Sequence, residues 1–124
     1  RHDALRRCAK ALREALDSGE VFARFGMAYV PMDETLARAV VDISSRPYLI
    51  YDLSRVSSTD MDIQIYEEFF RAFAFNAGIT LHIEAEYGRN GHHITEAIFK
   101  ATARAIAEAV CETGGKVLST KGVL

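Results

Sequence analysis

Apolar residues recur along the chain with two periods, and the switches between them mark out its elements. Residues 4 to 16 place Leu5, Cys8, Ala9, Leu12 and Leu16 on one stripe against Arg6, Arg7, Lys10, Arg13 and Glu14, the period of a helix with one packed face. Asp17-Ser18-Gly19 ends it. Three strand-like runs follow: Val21 to Tyr29, Thr35 to Ile43 and Tyr48 to Leu53. Pro31, which has no N–H to give a ladder, predicts a wide bend between the first two, and Ser44-Ser45-Arg46-Pro47 predicts a short hairpin turn between the second and third. Ser54 to Thr59 reads as a polar loop, with Thr59 or Asp60 capping a second helix that runs to Asn76 and stops at Gly78. Ile79, Leu81 and Ile83 then alternate with Thr80, His82 and Glu84, a fourth strand with one buried face. The last helix runs from His92 to about Glu112 and carries Ala97, Ala101, Ala103, Ala105, Ala107 and Ala109, small enough to let a neighbouring helix approach closely. Lys116 to Leu124 has no period of its own. The order helix, three strands, helix, strand, helix predicts an α+β layer, with helices on one face of a mainly antiparallel sheet.

Composition narrows what such a layer does. The 124 residues, 49% of them hydrophobic, suffice for one small core, and a net charge of −2 offers neither nucleic acid nor a membrane surface a basic field. No apolar run approaches the roughly 20 residues that span a bilayer, and no basic-then-apolar leader precedes the first helix. Cys8 and Cys111 lie far apart without C-x-x-C spacing and read as buried free thiols of a reducing compartment, which points to the cytoplasm.

The candidate chemistry is concentrated in His92-His93-Ile94-Thr95-Glu96, which opens the last helix after the turn Gly88-Arg89-Asn90-Gly91. At helical spacing Glu96 lies near both histidines, while the two imidazoles diverge by about 100° around the axis. They therefore suit two metals, or one metal and one substrate contact, better than one shared ion. Taken alone, the pair reads more simply as a helix cap. Imidazole and carboxylate together suit Mn, Fe, Co or Zn better than Ca. Arg46 sits beside Pro47 on a stiff turn and offers a bidentate fork suited to phosphate, and Lys100 lies one turn beyond Glu96. His82, on the strand face opposite Ile79, Leu81 and Ile83, reads as a satisfied or solvated histidine.

The stretch from Tyr87 to Lys100 resembles the second His-His-x-x-Glu motif of imidazoleglycerol-phosphate dehydratases. Six further segments resemble that family in the same order: Arg24-Phe25-Gly26, Val30-Pro31-Met32-Asp33-Glu34, Asp42 to Leu49, Glu67 to Phe73, Asn76 to Ile83, and Ser119-Thr120-Lys121-Gly122-Val123-Leu124. The resemblance implies a ribosomal-protein-S5-domain-2-like half-domain with a four-stranded mixed sheet. It assigns residues 19–124 to a complete C-terminal half and residues 1–18 to the last helix of a truncated N-terminal half. The start looks cut: the first residue is Arg1, and the family's first His-His-x-x-Glu-Asp motif is missing, with His2 as a possible remnant.

The resemblance further implies dehydration of imidazole glycerol phosphate to imidazole acetol phosphate in histidine biosynthesis. Two manganese ions would bind at subunit interfaces of a homo-oligomer of 24 subunits built from trimers. His92, His93 and Glu96 would be metal ligands, with Glu96 and His92 also catalytic. Asp33 would orient a ligand or proton carrier, although a strand-entry cap explains it equally. Glu68 falls where many members have histidine and would be a fourth ligand, its rival reading a solvent-facing glutamate. Arg24, Arg46, Lys100, Ser119 and Lys121 would hold the substrate phosphate. The competing reading is a catalytically inactive fragment or assembly module of the same family.

Overall fold

In this computed structural model, which describes residues 2–18, 21–56 and 62–112, the chain runs α1 (His2–Leu16), β1 (Phe25–Met32), β2 (Thr35–Asp42), β3 (Tyr48–Asp52), α2 (Asp62–Ala77), β4 (Thr80–Tyr87) and α3 (Gly91–Ala109). Alternation decides the sheet's two faces. Thr35, Ala37, Ala39 and Val41 of β2 are at most 1% exposed, as are Leu81, Ile83 and Ala85 of β4, while the residues between them stay partly open. The closed face is roofed by α3, which lies over β1 and β2, and by α2, which lies over β3, with α1 packed on α2. Helices on one face of an α+β layer are thus as the pattern predicts.

The strand order is β1-β2-β4-β3, antiparallel except for the parallel pair β3 and β4, so the sheet is mixed. This corrects the expected hairpin between the second and third strands. Thr80 at the start of β4 pairs with Asp42 on one side and Tyr48 on the other, so β4 is inserted between strands that are neighbours in sequence. The turn from Ser44 to Pro47 bridges two strand spacings, roughly 9–10 Å. Ser45 enters the left-handed region (φ 63°), and the Thr80 hydroxyl donates to the Arg46 carbonyl at 2.9 Å, fastening the turn to the inserted strand.

Two further expectations change. Pro31 lies inside β1, opposite Leu36, and is tolerated because β1 is an edge strand. The bend is therefore not wide: Met32 pairs with Thr35, leaving a two-residue loop of Asp33 and Glu34, with Asp33 at φ 49°. The first strand begins at Phe25 rather than Val21 because the preceding residues clasp the end of α3. Ala23 N–H donates to Cys111 O and Arg24 N–H to Ala109 O, each at 2.8 Å, which satisfies carbonyls that a helix C-terminus leaves open.

The alanine stripe of α3 meets the sheet rather than another helix. Ala97, Ala101, Ala105 and Ala109 are fully buried, and a Cβ on Gly26 of β1 would stand 1.9 Å from the Ala105 carbonyl oxygen. Contact with α2 is made instead by aromatic rings, Phe99 packing on Tyr66, Phe69 and Phe70 at centroid distances of 4.8–5.3 Å. Cys8 and Cys111 are exposed free thiols, not buried ones, because Cys8 falls at the edge of the stripe that Ala9 centres and Cys111 lies past the end of α3. Among the described residues no helix is long and apolar enough to cross a membrane.

Candidate functional site

One end of the sheet gathers the loop between β1 and β2 and the start of α3. The approach depends on Gly88, where a Cβ would stand 2.6 Å from Thr35 Oγ1 and 3.0 Å from Ile94 Cγ1. Asn90 caps the helix, its Oδ1 accepting from His93 N–H at 3.1 Å and its carbonyl from Ile94 N–H at 2.9 Å. This capping fixes where the imidazoles of His92 and His93 leave the helix. Their ring centroids are 6.2 Å apart and their planes 64° apart, so each faces a different partner.

His92, with its side chain 81% exposed, has Nε2 3.2 Å from Glu96 Oε2. The other oxygen, Glu96 Oε1, accepts from Lys100 Nζ at 2.7 Å. The Lys100 ammonium holds the Glu96 carboxyl below the usual carboxylate range, with smaller help from His92 and His93. His93 is more enclosed. Its Nδ1 lies 2.5 Å from Glu34 Oε1, and its Nε2 lies 3.6 Å from Oδ2 of exposed Asp33. The hydrogen bond to Glu34 raises the His93 pKa above its ordinary value.

Glu34 has no role that its place in the segment Val30 to Glu34 predicts, yet it joins the hairpin to the helix. Its Oε2 accepts the N–H groups of Arg89 at 2.9 Å and Asn90 at 3.1 Å and the Thr35 hydroxyl at 2.5 Å. These donors, Arg89 first, hold its carboxyl far below the usual range. The sequence shows Glu34 beside Asp33 between two strand-like runs, but that this loop meets the glycine turn before α3 follows only from the pairing of β2 with β4.

The proposed phosphate set is divided. Lys100 belongs to this end, whereas Arg24 and Arg46 lie at the opposite end of β1 and β2, eight-residue strands that span roughly 25 Å. Arg24 there donates through Nε to Asp42 Oδ1 at 2.8 Å and stacks over the Phe25 ring at 4.9 Å. Arg46 is exposed on its fastened turn, its N–H donating to Ser44 Oγ at 3.1 Å. Glu68 is exposed on α2, in an open cleft with Arg6, Arg71, Ala72 and Phe75, and does not join the α3 histidines within this chain. Ser119, Lys121 and the side chain of His2 lie outside the described residues. His82 is partly exposed on the open sheet face between Val40 and Ile50, as its strand position predicts.

Among the described residues no three His, Cys, Asp or Glu side chains converge so as to hold a metal ion. The donors still suit one in part. Each imidazole comes with its own carboxylate, the nitrogen and oxygen mixture that borderline divalent cations prefer, but two donors leave an octahedral shell short. A cation bound here would need further ligands from outside this cluster.

Fold and cluster together define an α+β protein that presents paired imidazole–carboxylate groups and an ammonium at one end of its sheet. The sequence profile of imidazoleglycerol-phosphate dehydratases matches residues 4–106. The imidazoleglycerol-phosphate dehydratase of Phenylobacterium zucineum is 50% identical over 120 residues, covering 93% of this chain and 61% of that protein. That of Symbiobacterium thermophilum is 52% identical over 120 residues, covering 93% and 57%. The crystal structure of the Staphylococcus aureus dehydratase superposes with a TM-score of 0.80 at 43% identity, over 90% of this chain and 66% of that one. The Pyrococcus furiosus enzyme, crystallised in complex with (S)-C348, superposes with a TM-score of 0.83 at 38% identity, over 99% and 69%. The chain belongs to the imidazoleglycerol-phosphate dehydratase family, and it spans about three-fifths of the length of these two curated relatives.

Proposed function

We propose that the protein carrying this chain dehydrates imidazole glycerol phosphate to imidazole acetol phosphate, a hydro-lyase step of histidine biosynthesis, and that it does so with manganese. The observation that carries the reading is the pairing of His92 with Glu96 and of His93 with Glu34 at one helix end, two imidazoles directed apart and each backed by a carboxylate. His92, His93 and Glu96 are the residues of this chain that would hold the ions, with Glu68 a ligand for a site completed by another copy. A bound divalent cation would stabilise negative charge as it develops on the substrate. Glu96 is placed to take or return a proton, since Lys100 and His92 keep it ionised. Lys100 supplies a cation one helical turn away, within reach of the substrate that Glu96 meets, and Arg24 and Arg46 serve the phosphate from the far end of a second copy's sheet. Assembly is supported by the open face of β1, where Phe25, Met27 and Tyr29 are each about half exposed.

The alternative is a catalytically inactive fragment or assembly module of the same family. A single experiment separates the readings. The complete protein, stripped with a chelator and reloaded with Mn, is assayed for imidazole acetol phosphate. Turnover that vanishes on stripping and returns on reloading supports the dehydratase, and no turnover in the loaded protein overturns it.

A further inference from the structure

Glu34 presents two acceptor oxygens to two different parts of the site. Oε2 is occupied by the Arg89 and Asn90 N–H groups and the Thr35 hydroxyl, so the carboxylate is fastened to the turn before α3 and cannot rotate freely. Oε1 is thereby aimed at His93, 2.5 Å from Nδ1. An ionised carboxylate only accepts, so the proton of this contact resides on Nδ1. A neutral imidazole has one N–H, and the Nε2 lone pair is then free to bind a cation on the side facing Asp33. Free imidazole side chains in water prefer the opposite tautomer, with the proton on Nε2, so the arrangement has to be imposed. The loop between β1 and β2 is held at both ends, with Met32 paired to Thr35 across its two residues and Thr35 buried beside Gly88.

We propose that Glu34 is a positioning residue, locking His93 as the Nδ1–H tautomer so that Nε2 is presented as a ligand for a divalent cation. The inference rests on the metal-dependent reading above, but the state it describes belongs to the metal-free protein. Carboxylates hydrogen-bonded to a ligating histidine both orient the ring and increase its basicity, and their loss weakens metal binding about 10–100-fold. Glu34 lies 59 positions from His93 in sequence, so the contact couples hairpin and helix.

The test uses the complete protein, metal-free and labelled with 15N in its histidine rings, under alkaline conditions where the ring is neutral, with His93→Asn to assign the signal. The expected spectrum shows His93 protonated at Nδ1. In Glu34→Gln, whose single carbonyl oxygen cannot serve both turn and ring, the signal should revert towards Nε2–H and Mn affinity should fall about 10–100-fold. A wild-type His93 protonated at Nε2 overturns the proposal without any variant, and so does a Glu34→Gln protein that keeps both tautomer and Mn affinity. Because the tautomer is read without metal or substrate, an inactive protein with the Nδ1–H form would sink only the dehydratase reading, and an active one with Nε2–H only this one.

Discussion

Glu34 Oε1 and His93 Nδ1 stand 2.5 Å apart, joining the two-residue loop at the end of β1 to the first turn of α3. The contact leads the shift of His93 and adds to the shift of Glu34, and the metal-free protein should report it. The donors around Glu34, led by Arg89 N–H, depress its pKa below 4.5, so its contribution to stability is full above 4.5 and lost as pH falls through the depressed value. Glu34 in turn raises His93 above 6.5, so that contribution is full below 6.5 and lost as pH rises through the raised value. Both are fully present between 4.5 and 6.5. His93→Gln should therefore destabilise most in that window, read as the denaturation midpoint against wild type, with the gap narrowing at alkaline pH. A gap that stays constant into the alkaline range contradicts the pairing.

Glu96→Gln in the complete protein should lower turnover by at least roughly 10²–10⁴, the worth of a positioned acid or base, with any lost ligation adding to it. The fold should survive, because the Glu96 side chain is about a third exposed and touches solvent-facing partners. Circular dichroism and turnover measured on the same preparation decide it: near-normal turnover removes Glu96 from the chemistry.

Lys100→Ala separates phosphate recognition from metal chemistry. Loss of a charge-assisted hydrogen bond costs about 1.5–3 kcal/mol, so the Michaelis constant should rise roughly 10–150-fold while metal content stays unchanged. Metal lost with the lysine would show instead that its bond to Glu96 is a scaffold for the ligand set.

Gly26→Ala tests the close approach of α3 to the sheet. The added methyl would meet the α3 backbone, 1.9 Å from Ala105 O and 2.9 Å from Ala109 N, and neither atom can move without shifting the helix. The expected loss is about 3 kcal/mol or more by chemical denaturation, the upper end of overpacking costs. A loss under ~0.5 kcal/mol would show that α3 does not seat on β1 in this way.

The parts of the fold carried by local alternation were legible in the sequence: β2 through Ala37, Ala39 and Val41, β4 through Leu81 and Ile83, and the stripe of Ala9, Leu12 and Leu16 on α1. Strand order was not, because β4 enters between Asp42 and Tyr48 by the pairings Asp42–Thr80 and Tyr48–Thr80, too far apart in sequence for any local period to record. Pro31 misled for a related reason, since only the finished sheet shows that its strand is an edge. In the site, His92, His93 and Glu96 share one helix and could be read from spacing alone. Glu34 acquires its role only when a hairpin and a helix start meet, and Arg24 and Arg46 were placed by resemblance without any sign that the sheet holds them at its other end.

On the proposed metal-dependent reading, His92 and His93 serve different divalent ions. The most direct measurement is the Mn content per subunit of the complete protein, compared with His92→Asn and His93→Asn after loading and exhaustive dialysis. Two ions in the wild type and one in each variant is the expected result, because rings 6.2 Å apart with planes 64° apart face different partners. A full complement in either variant would contradict the claim, as would a wild-type protein that retains no ion at all.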